Sequence, residues 1–113
     1  MAAWQPAWGD VVWLDFNPQR GREQAGTRPG LIVSNSFYNR RNGLALICPI
    51  TSRKKGYPFE VGLPQGFAVQ GVVLADQIKA IDWKARAVRF AAKCPPDVVA
   101  DVVARIRALM VEA

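Results

Sequence analysis

Two short stretches hold most of the residues with chemistry to offer: Gly21–Gly30 (GREQAGTRPG) and Thr51–Pro58 (TSRKKGYP). The first carries one carboxylate, Glu23, and two guanidinium groups, Arg22 and Arg28. Its three glycines let the backbone bend tightly. The second opens on two aliphatic hydroxyls, Thr51 and Ser52, followed by Arg53, Lys54 and Lys55. A carboxylate can take a proton from a nucleophile, and a guanidinium can neutralise charge developing on a phosphate. Two readings of the first stretch are open, a solvated surface loop or a site that acts on a phosphate. A polar connection this long is unusual, since most run about 4–6 residues.

The residue inventory narrows the chemistry. The chain has no histidine, which removes the commonest general acid–base and the commonest metal ligand. A Ser-His-Asp arrangement is excluded. No carboxylates stand at Mg²⁺ or Ca²⁺ spacing, and there is no Walker loop or dinucleotide fingerprint. No metal and no cofactor is therefore expected. Nucleic-acid chemistry must then run on carboxylate, guanidinium, hydroxyl and amine groups. RNA allows this because it brings its own nucleophile: the 2′-OH can attack the adjacent phosphate, leaving a cyclic phosphate and a 5′-OH. DNA lacks that hydroxyl, so the same groups would leave it intact.

The charge is unevenly spread. The net charge is +6, but Arg20–Lys55 holds eight basic residues and one acid, a local charge of +7, while the rest of the chain is −1. Such a window attracts a polyanion. At 113 residues the chain is expected to form a single domain, 1–113. No apolar run approaches the roughly 18 residues of a membrane span, and the N-terminus has no secretory pattern, so a cytoplasmic protein is expected. Cys48 and Cys94 stand in no metal-like spacing and are read as free thiols behaving as small apolar side chains.

The elements that must position these groups are short. Val11–Phe16 reads as a strand buried on most of its surface, closed by Asn17–Pro18. The charged loop runs to Pro29–Gly30, and Leu31–Ser34 begins the next apolar run. Ser34–Asn39 reads as a turn or one short helical turn, and Arg40–Gly43 as a turn by its Asn-Gly pair. Strands follow at Leu44–Ile50, Phe59–Leu63, Gly71–Ala75, Ile78–Asp82 and Val88–Ala91. Pro95, Pro96 and Asp97 open a helix whose stripe is Val98, Val99, Val102, Val103, Ile106, Leu109 and Met110. Asp101 and Arg105 form an i,i+4 pair in the favourable order. Trp13 and Trp83 are expected in the core. Many short strands with one terminal helix predict a mostly β, α+β fold: a small antiparallel sheet or barrel with a C-terminal α-helix.

Several blocks together resemble one family. Gly9-Asp10 with Trp13, Asp15-Phe16 and Pro18, then Glu23–Gly26 and Arg28-Pro29, is similar to the opening of the MazF/PemK toxins. The likeness continues through Ser34, Tyr38-Asn39, Pro49-x-Thr51, Lys55–Val61 (KGYPFEV), Leu74–Gln77 with Lys79, and Trp83-x-Ala85-Arg86. It covers nearly the whole chain in order and is nearest the MazF branch. The resemblance implies an SH3-like barrel shared with the CcdB toxins, and a homodimer with an RNA groove along its interface. It implies a sequence-specific, metal-independent endoribonuclease acting on single-stranded RNA, chiefly mRNA. It also implies a MazE-like antitoxin whose acidic flexible tail fills the groove.

Carried over position by position, the resemblance marks Glu23, Arg28 and Thr51 as catalytic. A free guanidine is inaccessible near neutral pH, so Glu23 is assigned as base, Arg28 as charge stabiliser and proton donor, and Thr51 as a phosphate-binding hydroxyl. Asn39, Ser52, Lys54, Lys55 and Gln77 match positions near the RNA groove, the lysines for phosphates and the amides for base edges. Asn39 can equally form a turn, and Asp76 and Gln77 can equally tie backbone groups together. Tyr57, Pro58 and Phe59 are read as core and dimer packing. Two rivals remain: a CcdB-type gyrase poison, which has no use for Glu23, Arg28 and Thr51, and a non-catalytic RNA-binding module, which would ignore a 2′-deoxy substitution.

Overall fold

The computed structural model describes residues 3–16 and 26–112. Seven strands and two helices follow in the order β1 (Asp10–Asp15), β2 (Thr27–Ile32), α1 (Ser36–Asn42), β3 (Leu44–Thr51), β4 (Glu60–Gly62), β5 (Val72–Leu74), β6 (Lys79–Asp82), β7 (Arg89–Lys93) and α2 (Pro96–Met110), with a single 3₁₀ turn at Ala75–Gln77 between β5 and β6. All pairings are antiparallel. The sheet runs β4-β5-β3-β2-β1-β7, with β6 also on β3. The expected barrel is not closed. The core beneath α2 draws on Val61 from β4 and Cys94 just past β7, together with Val99 and Val102 of the helix. Helix side chains thus fill the space where the two ends of the sheet would have had to pair.

Strand periodicity explains a core on both faces of the sheet. Val11, Leu31, Cys48 and Ile50 face α2. Their neighbours Val12, Leu14, Ile32, Ala45 and Ile47 face the opposite way and pack with Phe16, Ile81, Trp83 and Val88. The apolar runs of β1 and β3 are continuous because both of their faces are covered. The stripe on α2 follows its expected spacing only as far as Ile106. Leu109 and Met110 run past the sheet and are 46% and 72% exposed. Trp83 is in the core as expected, whereas Trp13 is 38% exposed. Trp13 alternates with the inward-facing Val12 and Leu14, so the pleat turns it outward.

Two prolines mark where strand partners change. β2 pairs with β3 from Gly30–Pro49 to Ile32–Ile47, and Pro29, which has no N–H to extend that ladder, stands one residue beyond its end. β3 pairs with β6 through Ile47 and with β5 from Ile50, leaving Pro49 in the gap between them. β2 itself begins at Thr27 and pairs with β1 from there, Arg28 opposite Leu14. The charged stretch therefore gives way to a strand sooner than expected, at Thr27, and Arg28 is a strand residue. The short helical turn, one of the two readings of Ser34–Asn39, is present and runs on through the expected Arg40–Gly43 turn as one helix, α1. Asn35 caps it by accepting from the Tyr38 amide, and Gly43 ends it in the left-handed region at φ 68°, donating to the Asn39 carbonyl. No described helix is long and apolar enough to cross a membrane. Cys48 and Cys94 are both buried and free.

Candidate functional site: a basic loop at the end of the central strands

β3 ends at Thr51 and the chain enters Ser52–Pro58, whose first five residues are exposed. With no strand partner, this loop is shaped by side chains. The Thr51 hydroxyl accepts from the Arg53 amide at 3.1 Å. The Lys54 amide donates to the Ser52 carbonyl at 3.2 Å. Glu60, the first residue of β4, folds back: its carboxylate takes the Lys55 amide at 2.9 Å and the Gly56 amide at 2.7 Å. Desolvation alone pushes the Glu60 carboxyl up, but the amides of Lys55 and Gly56, the Lys54 charge and the Tyr57 amide outweigh it and hold the pKa below its usual value.

The far wall is the 3₁₀ turn. The Tyr57 hydroxyl donates to Asp76 at 3.0 Å and also engages Gln77. Desolvation, then the bond to Asp76 and the charges of Asp76 and Glu60, push the Tyr57 phenol up to about 12, with Gln77 opposing. Helix α2 supplies a further contact, from the Arg105 guanidinium to the Pro58 carbonyl.

β2 and β3 part after Gly30–Pro49; two residues further on, Arg28 is paired with Leu14 of β1 and Thr51 with Val72 of β5. Both stand at the sheet end from which the basic loop emerges. Arg28 is half-buried, and Thr51 is only 4% exposed. Ser52, Lys54 and Lys55 are exposed on the loop, and Gln77 is half-buried beside Tyr57. Glu23 lies outside the described residues.

Asn39 is a correction. It is 0% exposed, and its amide is spent internally: Nδ2 donates to the carbonyls of Pro6 and Ser34 at 3.0 and 3.2 Å, while Oδ1 accepts from the Ser34 hydroxyl at 2.5 Å. Its own carbonyl accepts from the Trp83 indole at 3.0 Å. Ser34 in turn bonds Leu46, at the other end of β3 from Thr51, roughly 16 Å away at the ~3.3 Å rise per residue of a strand. Asn39 therefore ties α1, the N-terminal segment and Trp83 together and presents no amide to a ligand.

The basic window divides for the same reason. Arg40 and Arg41 sit in the last turn of α1, and Arg53, Lys54 and Lys55 follow β3, so a whole strand lies between the two groups. Sequence distance alone made them look like one patch. Glu60, Tyr57, Asp76 and Arg105 were not singled out as site residues from sequence. Glu60 and Tyr57 stand in the KGYPFEV block, but Arg105 carried no signal beyond its pairing with Asp101, which is present at 3.0 Å.

The family model described as the PemK-like, MazF-like toxin of type II toxin–antitoxin systems matches residues 7–110. The chain is 43% identical over 105 residues to the endoribonuclease toxin MazF of Escherichia coli, covering 93% of this chain and 94% of that protein. It is 34% identical over 108 residues to the endoribonuclease PemK of Escherichia coli, covering 90% and 80%. The fold superposes on the crystal structure of MazF from Deinococcus radiodurans with a TM-score of 0.91 at 47% identity, covering 96% of this chain and 98% of the other. For a MazE–MazF complex from the same organism the TM-score is 0.84 at 42% identity, covering 96% and 97%.

Proposed function

The chain belongs to the PemK-like, MazF-like toxins of type II toxin–antitoxin systems and is an endoribonuclease toxin, and we propose that it cuts single-stranded RNA, chiefly mRNA in the cytoplasm, at a specific sequence and without a metal. The RNA 2′-OH is the nucleophile. Glu23 removes its proton, the oxygen bonds to phosphorus, and the bond to the 5′ oxygen breaks. The products are a 2′,3′-cyclic phosphate and a 5′-OH, the leaving oxygen taking one proton from solvent. Arg28 neutralises the charge that builds on the phosphate oxygens. The Thr51 hydroxyl accepts from Arg53, an arrangement that leaves its hydrogen to donate to a phosphate oxygen.

The observation that supports this reading is that Arg28 and Thr51 each stand two residues beyond the last β2–β3 pair, Gly30–Pro49, at the root of a loop bearing Ser52, Lys54 and Lys55. Those lysines meet phosphates, and Ser52 and Gln77 contact the strand beside them. The test is incubation of purified protein with a long unstructured RNA in EDTA, followed by mapping of the ends. Cyclic phosphate and 5′-OH ends at one recognition word, abolished by a 2′-deoxy substitution at the cut site, are expected. Cleavage of the deoxy substrate would remove the mechanism. Glu23→Gln is expected to slow turnover by about a hundredfold or more while leaving RNA bound.

The toxin works against an antitoxin, as its relatives crystallised with MazE do. The fitting partner is MazE-like, with an acidic flexible tail that lies over Arg53, Lys54 and Lys55 and excludes RNA. Its affinity falls as salt rises. The toxin acts as a homodimer, so its mass in solution is expected at twice 12.5 kDa.

A further inference from the structure

We propose that Arg105, on the outer turn of α2, is a positioning residue for RNA: it holds the exit of the basic loop so that Lys54 and Lys55 are pre-arranged for phosphates. The inference rests on the proposed RNA-cleaving function and adds to it a residue that neither touches RNA nor belongs to the loop.

The loop is anchored at its start by the Thr51 hydroxyl on Arg53 and in its middle by the Glu60 carboxylate on Lys55 and Gly56. Past Gly56, whose φ is 84°, Tyr57 is held by its hydroxyl on Asp76 and by the Glu60 amide on its carbonyl. The Arg105 guanidinium adds the hold on the next residue by donating to the Pro58 carbonyl. Proline has no N–H and Pro58 is exposed, so its carbonyl is the polar group through which the main chain can be held here. Arg105 Nε also donates to the Asp101 carboxylate at 3.0 Å, an exposed i,i+4 pair of small worth. A guanidinium suits both tasks, because its fork directs Nε to one acceptor and a terminal nitrogen to another. Since Val102 and Ile106 on either side of it pack into the core, the helix is a fixed base for the reach.

Pre-ordering a loop stabilises the bound complex by removing an entropy cost, without touching the reacting atoms. Arg105→Ala is therefore expected to raise KM about tenfold, leave kcat within about twofold, and flatten the salt dependence of binding. Arg105→Lys keeps a donor and restores most of the affinity. Asp101→Ala removes the ion pair while leaving the bond to Pro58, and stays near wild type. Melting temperatures of all three, and affinity for a non-cleavable 2′-deoxy oligonucleotide of the same sequence, are measured in parallel. If Arg105→Ala cleaves with unchanged KM, or if Asp101→Ala loses as much as Arg105→Ala, the inference is overturned while the cleavage mechanism stands. If the wild type does not cleave RNA in EDTA, the mechanism fails, and the oligonucleotide affinities of the same variants still decide the role of Arg105.

Discussion

Glu60 Oε1 accepts the Gly56 amide hydrogen at 2.7 Å, across four residues of chain. A carboxylate at the head of a three-residue strand thereby dictates the course of a loop that belongs to no sheet. The acid that follows the basic loop shapes that loop, while Arg53, Lys54 and Lys55 are left facing solvent.

That arrangement sets a pH dependence. The folded pKa of Glu60 lies below its unfolded value. The stabilisation it gives is thus complete above the unfolded carboxyl value, about 4.3, and is lost as pH falls through the lower folded one. The amide resonance of Gly56 is expected to titrate with a midpoint below about 4.3, and Glu60→Gln removes that titration. A midpoint at or above the free value would show that the contact is not populated.

The alkaline side behaves in the opposite sense. Burial, aided by Asp76, pushes the Cys48 thiol up to about 12; burial, aided by Asp97, pushes Cys94 up to about 11; Tyr57 is likewise raised to about 12. For each, the stabilisation is intact below the unfolded value and disappears as pH rises through the folded one. At pH 8 a disulfide-exchange reagent is expected to label neither cysteine of the native protein, and to label two thiols per chain in denaturant. Rapid labelling of one native thiol would contradict its burial.

Asn39 separates folding from recognition. Asn39→Ala breaks bonds to Pro6 and Ser34 and leaves those buried groups unpaired. A loss of roughly 2–4 kcal/mol in denaturant unfolding is expected. At temperatures where the variant stays folded, its KM for RNA should match that of the wild type. A raised KM with unchanged stability would return Asn39 to the RNA surface.

These residues also show what could be read in advance. The β-rich order, the terminal helix and the central strand were legible because apolar runs, prolines and the Pro95–Asp97 start are local signals. Asn39 misled because a short amide beside a glycine-ended segment looks the same whether it forms a turn, reads a base or closes a buried network; burial, which decides, is a tertiary property. The Asn42-Gly43 pair became a helix cap instead of a hairpin turn because the residues before it were helical. Arg28 was assigned to a loop because glycine and proline flank it, yet the ladder with β1 tolerates Pro29 where β3 no longer pairs. The contact from Arg105 to Pro58 spans 47 residues, and no local pattern encodes it.

Gly71 offers a test of how closely Thr51 is held. Its φ is 125°, and a Cβ built there would stand 2.3 Å from the Thr51 carbonyl oxygen and 3.3 Å from Ser52 Cα. Both neighbours are backbone, so no rotamer change can relieve the clash. Gly71→Ala must shift either β5 or the end of β3, at a cost of about 1–3 kcal/mol. If it moves β3, the Thr51 hydroxyl is displaced with it, and kcat should fall about tenfold or more while RNA affinity, set mainly by the lysines, changes little. Gly66→Ala is the control: its φ of 86° carries a similar backbone penalty, but nothing lies within 4 Å of the added carbon. It should lose stability with kcat unchanged. Equal kcat in the two variants would mean that the exact placement of Thr51 does not limit the chemical step.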